Sequence, residues 1–301
     1  MISRVLIAGA NGMLGSALQR VLRERGVEFV APAERDFDIT DEDAVGRVTG
    51  GFAASGRSGA RGLLVNAAAF TNVEAAEDDR ELAYRVNEYG ARVLATAARD
   101  NSLQFVHVST DFVFDGTKET PYSETDDPNP LSVYGASKLA GETAVLNLFP
   151  DALIVRTAWV YGPGGVNFPV KIMAAAQERE SLQVVTDEIG SPTYTVDLAA
   201  GILELVGAQA SGLYHLAGAG SCSRYELASE ILRLSGRTTR LEPVTSDVFP
   251  TRAARPGNSV LDCSKAAAMG VTLPGWHDGL SRFLGDLGEN RATRPEESDA
   301  Q

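Results

Sequence analysis

Short apolar runs alternate along the chain with longer stretches whose apolar positions recur every three or four residues. Arg4–Ala8 (RVLIA), apolar from Val5 on, reads as a buried strand. Leu14, Leu18, Val21 and Leu22 then recur at helical spacing across Asn11–Arg25. Val27–Ala31, Gly62–Asn66, Gln104–Ser109 and Ala152–Arg156 read as further strands, and Leu182–Val185 and Gly212–His215 as later ones. Helical stretches such as Asp41–Arg47 and Glu81–Asp100 lie between them. Unbroken apolar strands alternating with helices predict an α/β fold with a doubly wound parallel sheet, buried on both faces and joined by right-handed crossovers.

The alternation loses regularity after about residue 158, where isolated Gly and Pro intervene. This predicts one domain over residues 1–157, with about 186–216 returning to it. A smaller C-terminal domain is expected from 158–185 and 217–288. Thr49–Gly62, rich in Gly, Ser and Ala, reads as a surface connection, and the polar, aperiodic 289–301 as a disordered tail.

Composition narrows the function classes. With 301 residues, 44% hydrophobic and 22% charged, the chain is globular and long enough for a sizeable core. Its net charge of −13 argues against nucleic acid polymers and anionic membranes as partners. The N-terminal apolar run is too short for a signal peptide, and no run reaches a membrane span. Cys222 and Cys263 sit in no paired or metal-binding pattern, so a reducing, cytoplasmic setting is expected. His107, His215 and His277 make no metal-ligand spacing, and the first two lie in strand-like runs as core residues.

The first strand runs directly into Gly9-Ala-Asn11-Gly12-Met13-Leu14-Gly15 and then a helix. Glycines at this junction give a tight turn and let the backbone approach a pyrophosphate at the N–H groups of the helix N-terminus. A Rossmann-like, nucleotide-binding first domain follows, ahead of a substrate-binding second one. After the second strand come Glu34 and Arg35. An acid there favours the ribose hydroxyl of NAD, an arginine the 2′-phosphate of NADP. Arg35 tilts the reading to NADPH, with NADH possible. Asp38 and Ile39 are expected at the adenine pocket, Asp38 serving alternatively as a helix cap. Ala67, Ala68 and Ala69 are small enough for a cofactor to lie across the strand ends.

The fourth strand runs into Ser109-Thr110-Asp111, and Tyr134-Gly-Ala-Ser-Lys138 follows. Tyr134 and Lys138, four apart, share a face if the segment is helical. The lysine ammonium is expected to lower the phenol pKa, so that Tyr134 exchanges a proton with a substrate oxygen while Thr110 or Ser109 orients that oxygen. Lysine is scarce here, with only Lys118, Lys138, Lys171 and Lys265 present, which makes its place in the motif less accidental.

GANGMLG, FDIT, NAAAFTNVEAAE, STDFVFDG, YGASK, RTAWVYG, IGSPTYTVDLA and RPGNSVLD, spread from residue 9 to about 262, carry a resemblance. The chain resembles extended short-chain dehydrogenases, and among them the dTDP-4-dehydrorhamnose reductase family. The resemblance implies reduction of the C4 keto group of dTDP-4-dehydro-L-rhamnose with NADPH or NADH. It implies Tyr134 as proton donor, Lys138 on the nicotinamide ribose and Thr110 completing the triad. Thr71, Val73, Asp111, Phe112 and Trp159 then line the sugar pocket. Asn167, Lys171, Arg252 and Arg255 are its candidates for the nucleotide diphosphate. Core packing is the alternative for Trp159, and a solvated loop for the two arginines.

The chain has Phe112 and Phe70 where that family usually carries tyrosine, which leaves other dTDP-4-keto-6-deoxyhexoses open as substrate. Thr110-Asp111-Phe112 lacks the glutamate a 4,6-dehydratase needs. A sugar-nucleotide 4-epimerase shares the Tyr and Lys, and a regulatory subunit like that of methionine adenosyltransferase shares the scaffold. No metal site is expected: Asp286, Glu289, Glu296 and Glu297 read as soluble acids near the C-terminus. Monomer and homodimer both remain open. If both ligands are anionic, the acidic chain must present a positive cleft formed by Arg35, Lys138 and the Arg252–Arg255 loop.

Overall fold

A computed structural model describes residues 3–56 and 61–292, with side chains to 288. Six strands form one parallel sheet in the order β10-β5-β4-β3-β1-β2: β1 (Arg4–Ala8), β2 (Glu28–Val30), β3 (Leu63–Asn66), β4 (Gln104–Thr110), β5 (Leu153–Thr157) and β10 (Gly212–His215). From β1 the chain moves outward to β2 and then back across to β3, so the switch point lies at the C-terminal ends of β1 and β3. Open α/β sheets bind their ligands in the crevice at such a point.

Alternate strand residues feed two cores, as a sheet buried on both faces requires. Val5, Ile7, Val65 and Val155 pack with α1 (Met13–Glu24) and α8 (Thr195–Gly207) through Leu18, Leu22, Leu198 and Ile202. Leu6, Leu64, Phe105 and Ile154 pack with α2 (Glu42–Ala54), α5 (Ala91–Asp100) and α6 (Val133–Leu148) through Val45, Phe52, Leu94 and Val145. The α2 helix therefore runs well into the stretch expected to be a surface connection. Thr49 and Phe52 are buried there, and the gain from packing Phe52 overrides the helix cost of Gly50 and Gly51. Residues 57–60 of that stretch lie outside the described ones.

The stretch expected to be helical over Glu81–Asp100 is helical throughout, but a π-turn widens it. After α3 (Val73–Asp78) come α4 (Arg80–Tyr84), a π-turn over Arg85–Gly90, and only then α5. The widened turn carries the buried Asn87 side chain, which accepts from Phe70 N at 2.8 Å and donates to Phe70 O at 3.1 Å and Ser137 Oγ at 2.9 Å. It ties the Phe70 loop to α6, a use typical of π-bulges beside functional sites.

The remaining elements are β6 (Val160–Tyr161), α7 (Phe168–Glu178), β7 (Ser181–Val185), β8 (Ile189–Gly190), β9 (Thr193–Tyr194), β11 (Cys222–Ser223), α9 (Arg224–Leu234), β12 (Arg240–Val244), α10 (Ser264–Ala268) and α11 (Trp276–Ala292). They form three two-stranded ribbons, β11-β8, β12-β7 and β6-β9. A separate core joins Ile172, Leu182, Val184, Leu227, Ile231, Leu280 and Phe283. Ala266, Val271 and Leu273, within the stretch expected in the second domain, instead bury in the core shared by α1, α8 and β10. Helix α11 continues through Ala292, past the expected start of a tail, and 293–301 lie outside the described residues. No described helix is long and apolar enough to cross a membrane. Both cysteines are free thiols, with Cys222 buried. His107 and His215 are buried, their Nδ1 atoms paired with Asn66 Nδ2 at 3.0 Å and Tyr122 O at 2.9 Å.

Candidate active site

A cavity of about 670 Å³ follows the C-terminal edge of the sheet, from the β1–α1 turn past β3 and β4 to Trp159. Gly9, Asn11, Gly12, Met13 and Leu14 line one end. Gly9 has φ +77°, and a Cβ on it would stand 2.5 Å from Ala68 N. Gly15 does not reach the cavity: a Cβ there would stand 2.1 Å from Gly9 O, so its part is the close packing of helix on turn. Asp41, Ser132, Asn167 and Ser223 cap α2, α6, α7 and α9, whereas α1 has no capping side chain and no acid in its first turn. Its first N–H groups are left as donors for an anion, and the turn has the close approach a pyrophosphate needs.

Asp38, Ile39, Ala67, Ala68 and Ala69 also line the cavity. Asp38 Oδ1 accepts from Thr40 N at 2.8 Å and Thr40 Oγ1 at 2.9 Å. The helix cap is Asp41, so the capping role weighed for Asp38 belongs to the aspartate three residues on. Arg35 departs from expectation. A 3₁₀ turn over Glu34–Asp36 directs Glu34 to the lining and leaves the Arg35 side chain 86% exposed, 3.5 Å from Asp36 and off the cavity wall.

Helix α6 carries Tyr134 and Lys138. Ser132 Oγ accepts from Gly135 N at 3.1 Å and starts the helix, and Gly135 lets it lie against Phe112 O, which a Cβ would approach to 2.1 Å. Thr110 ends β4 in register with Thr157 of β5, one residue beyond the expected strand end. Thr110, Tyr134 and Lys138 thus meet on one cavity wall.

The electrostatics there are set by burial. Burial pushes the Tyr134 phenol up to about 12; the Thr110 hydroxyl pulls it down and the Asp111 charge pushes it further up. The phenol is therefore raised by desolvation and not lowered by Lys138 as expected. The Lys138 ammonium donates to Val108 O at 2.7 Å instead. Lys138 itself is lowered to about 8 by burial, against the opposing charge of Glu142. Behind it, Glu142 forms a buried bidentate pair with Arg156, at 2.9 and 2.7 Å, and accepts from Ser109 Oγ. Asp111 is 2% exposed; burial raises it to about 6, while Ser259 and Thr110 hydrogen bonds pull it back.

Thr71, Val73, Asp111, Phe112 and Trp159 all line the cavity. Phe112 meets Tyr134 edge-to-face, with ring centroids 5.7 Å apart. Trp159 adopts a left-handed φ of +45°, a conformation an L side chain holds only when its surroundings compel it. Its ring occupies the space Gly190 leaves free, where a Cβ would stand 2.3 Å from Trp159 Cε2.

A second cavity of about 600 Å³ adjoins the first and is lined by Lys171 and Arg255 among others. Arg255 reaches both cavities and pairs with Glu74 at 2.8 Å. Two expected diphosphate ligands are elsewhere. Asn167 is spent as the α7 cap, accepting from Val170 N at 3.2 Å and donating to Gly162 O at 2.8 Å. Arg252 turns outward to Asp78, off both linings. The cleft is also not positive by count: Lys138, Arg224 and Arg255 face Glu34, Asp38 and Asp111 in the first lining. Arg224, Phe37 and Val166 line that cavity without having been expected there, and of the pair Glu34 and Arg35 it is the acid that lines it. For Arg224 the only sequence signal was the Ser223-x-x-Glu226 capping box, which fixes a helix start but not what it faces. Asp286, read from the sequence as a soluble acid, is instead engaged by Arg20 and Tyr194.

The model of the RmlD substrate binding domain family matches residues 3–288. A dTDP-4-dehydrorhamnose reductase of Mycolicibacterium smegmatis is 40% identical over 285 residues, covering 93% of this chain and 84% of the relative. A dTDP-4-keto-6-deoxy-D-glucose reductase of Streptomyces niveus is 43% identical over 274 residues, covering 90% and 93%. Among solved structures, the dTDP-4-dehydrorhamnose reductase of Bacillus anthracis in complex with NADP matches at a TM-score of 0.89 and 37% identity, covering 95% of this chain and 100% of that one.

Proposed function

The chain belongs to the RmlD substrate binding domain family, and from that premise we propose that it reduces the C4 keto group of dTDP-4-dehydro-L-rhamnose to dTDP-L-rhamnose. When bound, NADPH supplies the hydride. The observation that carries the reading is one cavity joining an uncapped helix N-terminus to a Thr110–Tyr134–Lys138 wall. Gly9, Asn11, Gly12, Met13 and Leu14 hold the pyrophosphate, Asp38 and Ile39 the adenine end, and Ala67–Ala69 leave room between.

Tyr134 donates the proton to the C4 oxygen. With its phenol pushed up to about 12, it holds that proton at neutral pH, the form reduction needs. Thr110 hydrogen-bonds the same oxygen and orients it. Lys138 binds the ribose, its ammonium held in place by the Val108 carbonyl. Thr71, Val73, Asp111, Phe112 and Trp159 enclose the sugar, and Lys171 and Arg255 serve the nucleotide diphosphate from the second cavity. The free thiols of Cys222 and Cys263 fit work in the cytoplasm.

A second reading keeps the chemistry and changes the sugar. The 43% identity to the Streptomyces niveus reductase, with Phe112 lacking a hydroxyl at the sugar pocket, favours dTDP-4-keto-6-deoxy-D-glucose as the alternative substrate. The test is loss of NADPH absorbance with each dTDP-4-keto sugar, followed by NMR of the product. Stoichiometric NADPH consumption with dTDP-4-dehydro-L-rhamnose, and a product with the rhamnose configuration at C4, is expected. Turnover of the D-glucose-derived sugar alone selects the second reading. Interconversion of C4 epimers without net NADPH consumption overturns both in favour of an epimerase.

A further inference from the structure

The two cavities share only two charged lining residues, Arg224 and Arg255, and both are cations. Arg255 is already held by Glu74. Arg224 opens α9, its side chain 19% exposed. Its guanidinium lies over Trp159, 3.4 Å from the ring centroid, and 5.0 Å from that of Phe168. One nitrogen, Nε, reaches Glu188 at 3.4 Å. The terminal Nη1 and Nη2 groups make no hydrogen bond among the described residues, although arginine carries five donors in a planar fork. Arg224 and Arg255 also lie close enough for the Arg255 charge to disfavour that of Arg224. Two guanidiniums brought together, one with its fork open, form a gap suited to an anion with several oxygens.

Resting on the sugar-nucleotide reading above, we infer that Arg224 is a specificity-determining residue that binds the diphosphate of the substrate at the junction of the two cavities. It reads the second phosphate, which distinguishes a nucleoside diphosphate from a monophosphate. Its stack on Trp159 links that reading to the sugar pocket: a diphosphate that engages the fork holds the guanidinium over the ring, and the ring bounds the sugar. A lysine could supply charge at this place, but neither the bidentate fork nor the flat face.

Calorimetry of the full chain with dTDP, with thymidine 5′-monophosphate and, separately, with NADPH tests this. Wild type is expected to prefer dTDP to the monophosphate. Arg224→Met, which keeps bulk on the Trp159 face, is expected to weaken dTDP about 10- to 100-fold, with the monophosphate and NADPH little changed. The preference for diphosphate then collapses, which a merely structural arginine would not cause. Arg224→Gln repeats the measurement, and whichever variant retains NADPH binding decides the outcome. A variant that binds NADPH and keeps the wild-type ratio of dTDP to monophosphate affinity overturns the inference while leaving the sugar-nucleotide reading intact. Wild type that binds NADPH but neither thymidine nucleotide overturns that reading and the inference with it.

Discussion

Lys138 donates to the Val108 carbonyl at 2.7 Å from a place one helical turn beyond Tyr134. The bond anchors the ammonium under the strand that delivers Thr110, so strand β4 and helix α6 are locked at the reacting wall. Burial lowers Lys138 to about 8, so the amine is charged at neutral pH and loses its proton as pH rises through that value. The kcat/KM for the dTDP-4-keto sugar is therefore expected to fall above about pH 8. Lys138→Met should lose about 10²- to 10⁴-fold in activity and show no such limb. A pH–rate profile of NADPH oxidation decides it: a limb that survives in Lys138→Met belongs to another group.

Tyr134→Phe removes the donor and keeps the ring that meets Phe112 edge-on. The expected result is a loss of about 10²- to 10⁴-fold in kcat, with NADPH affinity within about twofold of wild type. Full activity in this variant would move the proton donor elsewhere in the cavity.

What could be read from the sequence was what local period encodes. The strand–glycine–helix run at Gly9–Gly15 and the four-residue spacing of Tyr134 and Lys138 each place side chains with no knowledge of distant contacts. Choices between neighbours were not legible. Glu34 and Arg35 are adjacent, and a 3₁₀ turn decides which faces the cavity. Asn167 could ligate or cap, and the open N–H of Val170 claims it as a cap. Burial effects were hidden as well: the Tyr134 phenol follows the desolvation created by the folded walls, not the ammonium written four residues on. Arg224 becomes visible as a cavity residue only when the start of α9 is brought against Trp159 of a different segment.

Asp111 gives a stability prediction with a definite sign. Its folded pKa, about 6, lies above the ordinary 3.8, so what it contributes to stability is intact below about pH 4 and is lost as pH rises through 6. Asp111→Asn cannot ionise, so its stability relative to wild type should rise between pH 4 and 6 and level off above. The change across that window should be on the order of 3 kcal/mol at most. Urea unfolding at several pH values measures it, and a difference that stays flat with pH refutes the buried-charge account.

Gly15 and Gly12 separate packing from ligand contact in one turn. A Cβ on Gly15 stands 2.1 Å from Gly9 O and 2.8 Å from Ala10 Cα, all backbone, so no rotamer relieves it. On Gly12 a Cβ meets only Gly9 O, at 3.4 Å, an ordinary contact, and φ −73° suits any residue. Gly15→Ala is therefore expected to cost about 1–3 kcal/mol of stability. It should also weaken NADPH at least about tenfold by lifting α1 off the turn, since each 1.4 kcal/mol lost is a factor of ten. Gly12→Ala should fold within about 1 kcal/mol of wild type, the cost of an unfavourable cap residue. It lines the cavity, so any loss beyond that small cost should appear in NADPH affinity. Denaturant unfolding and NADPH titration of both variants give the comparison. Equal stability losses at the two positions would mean that the turn tolerates or rejects any Cβ alike, and that close helix packing is not what requires glycine at position 15.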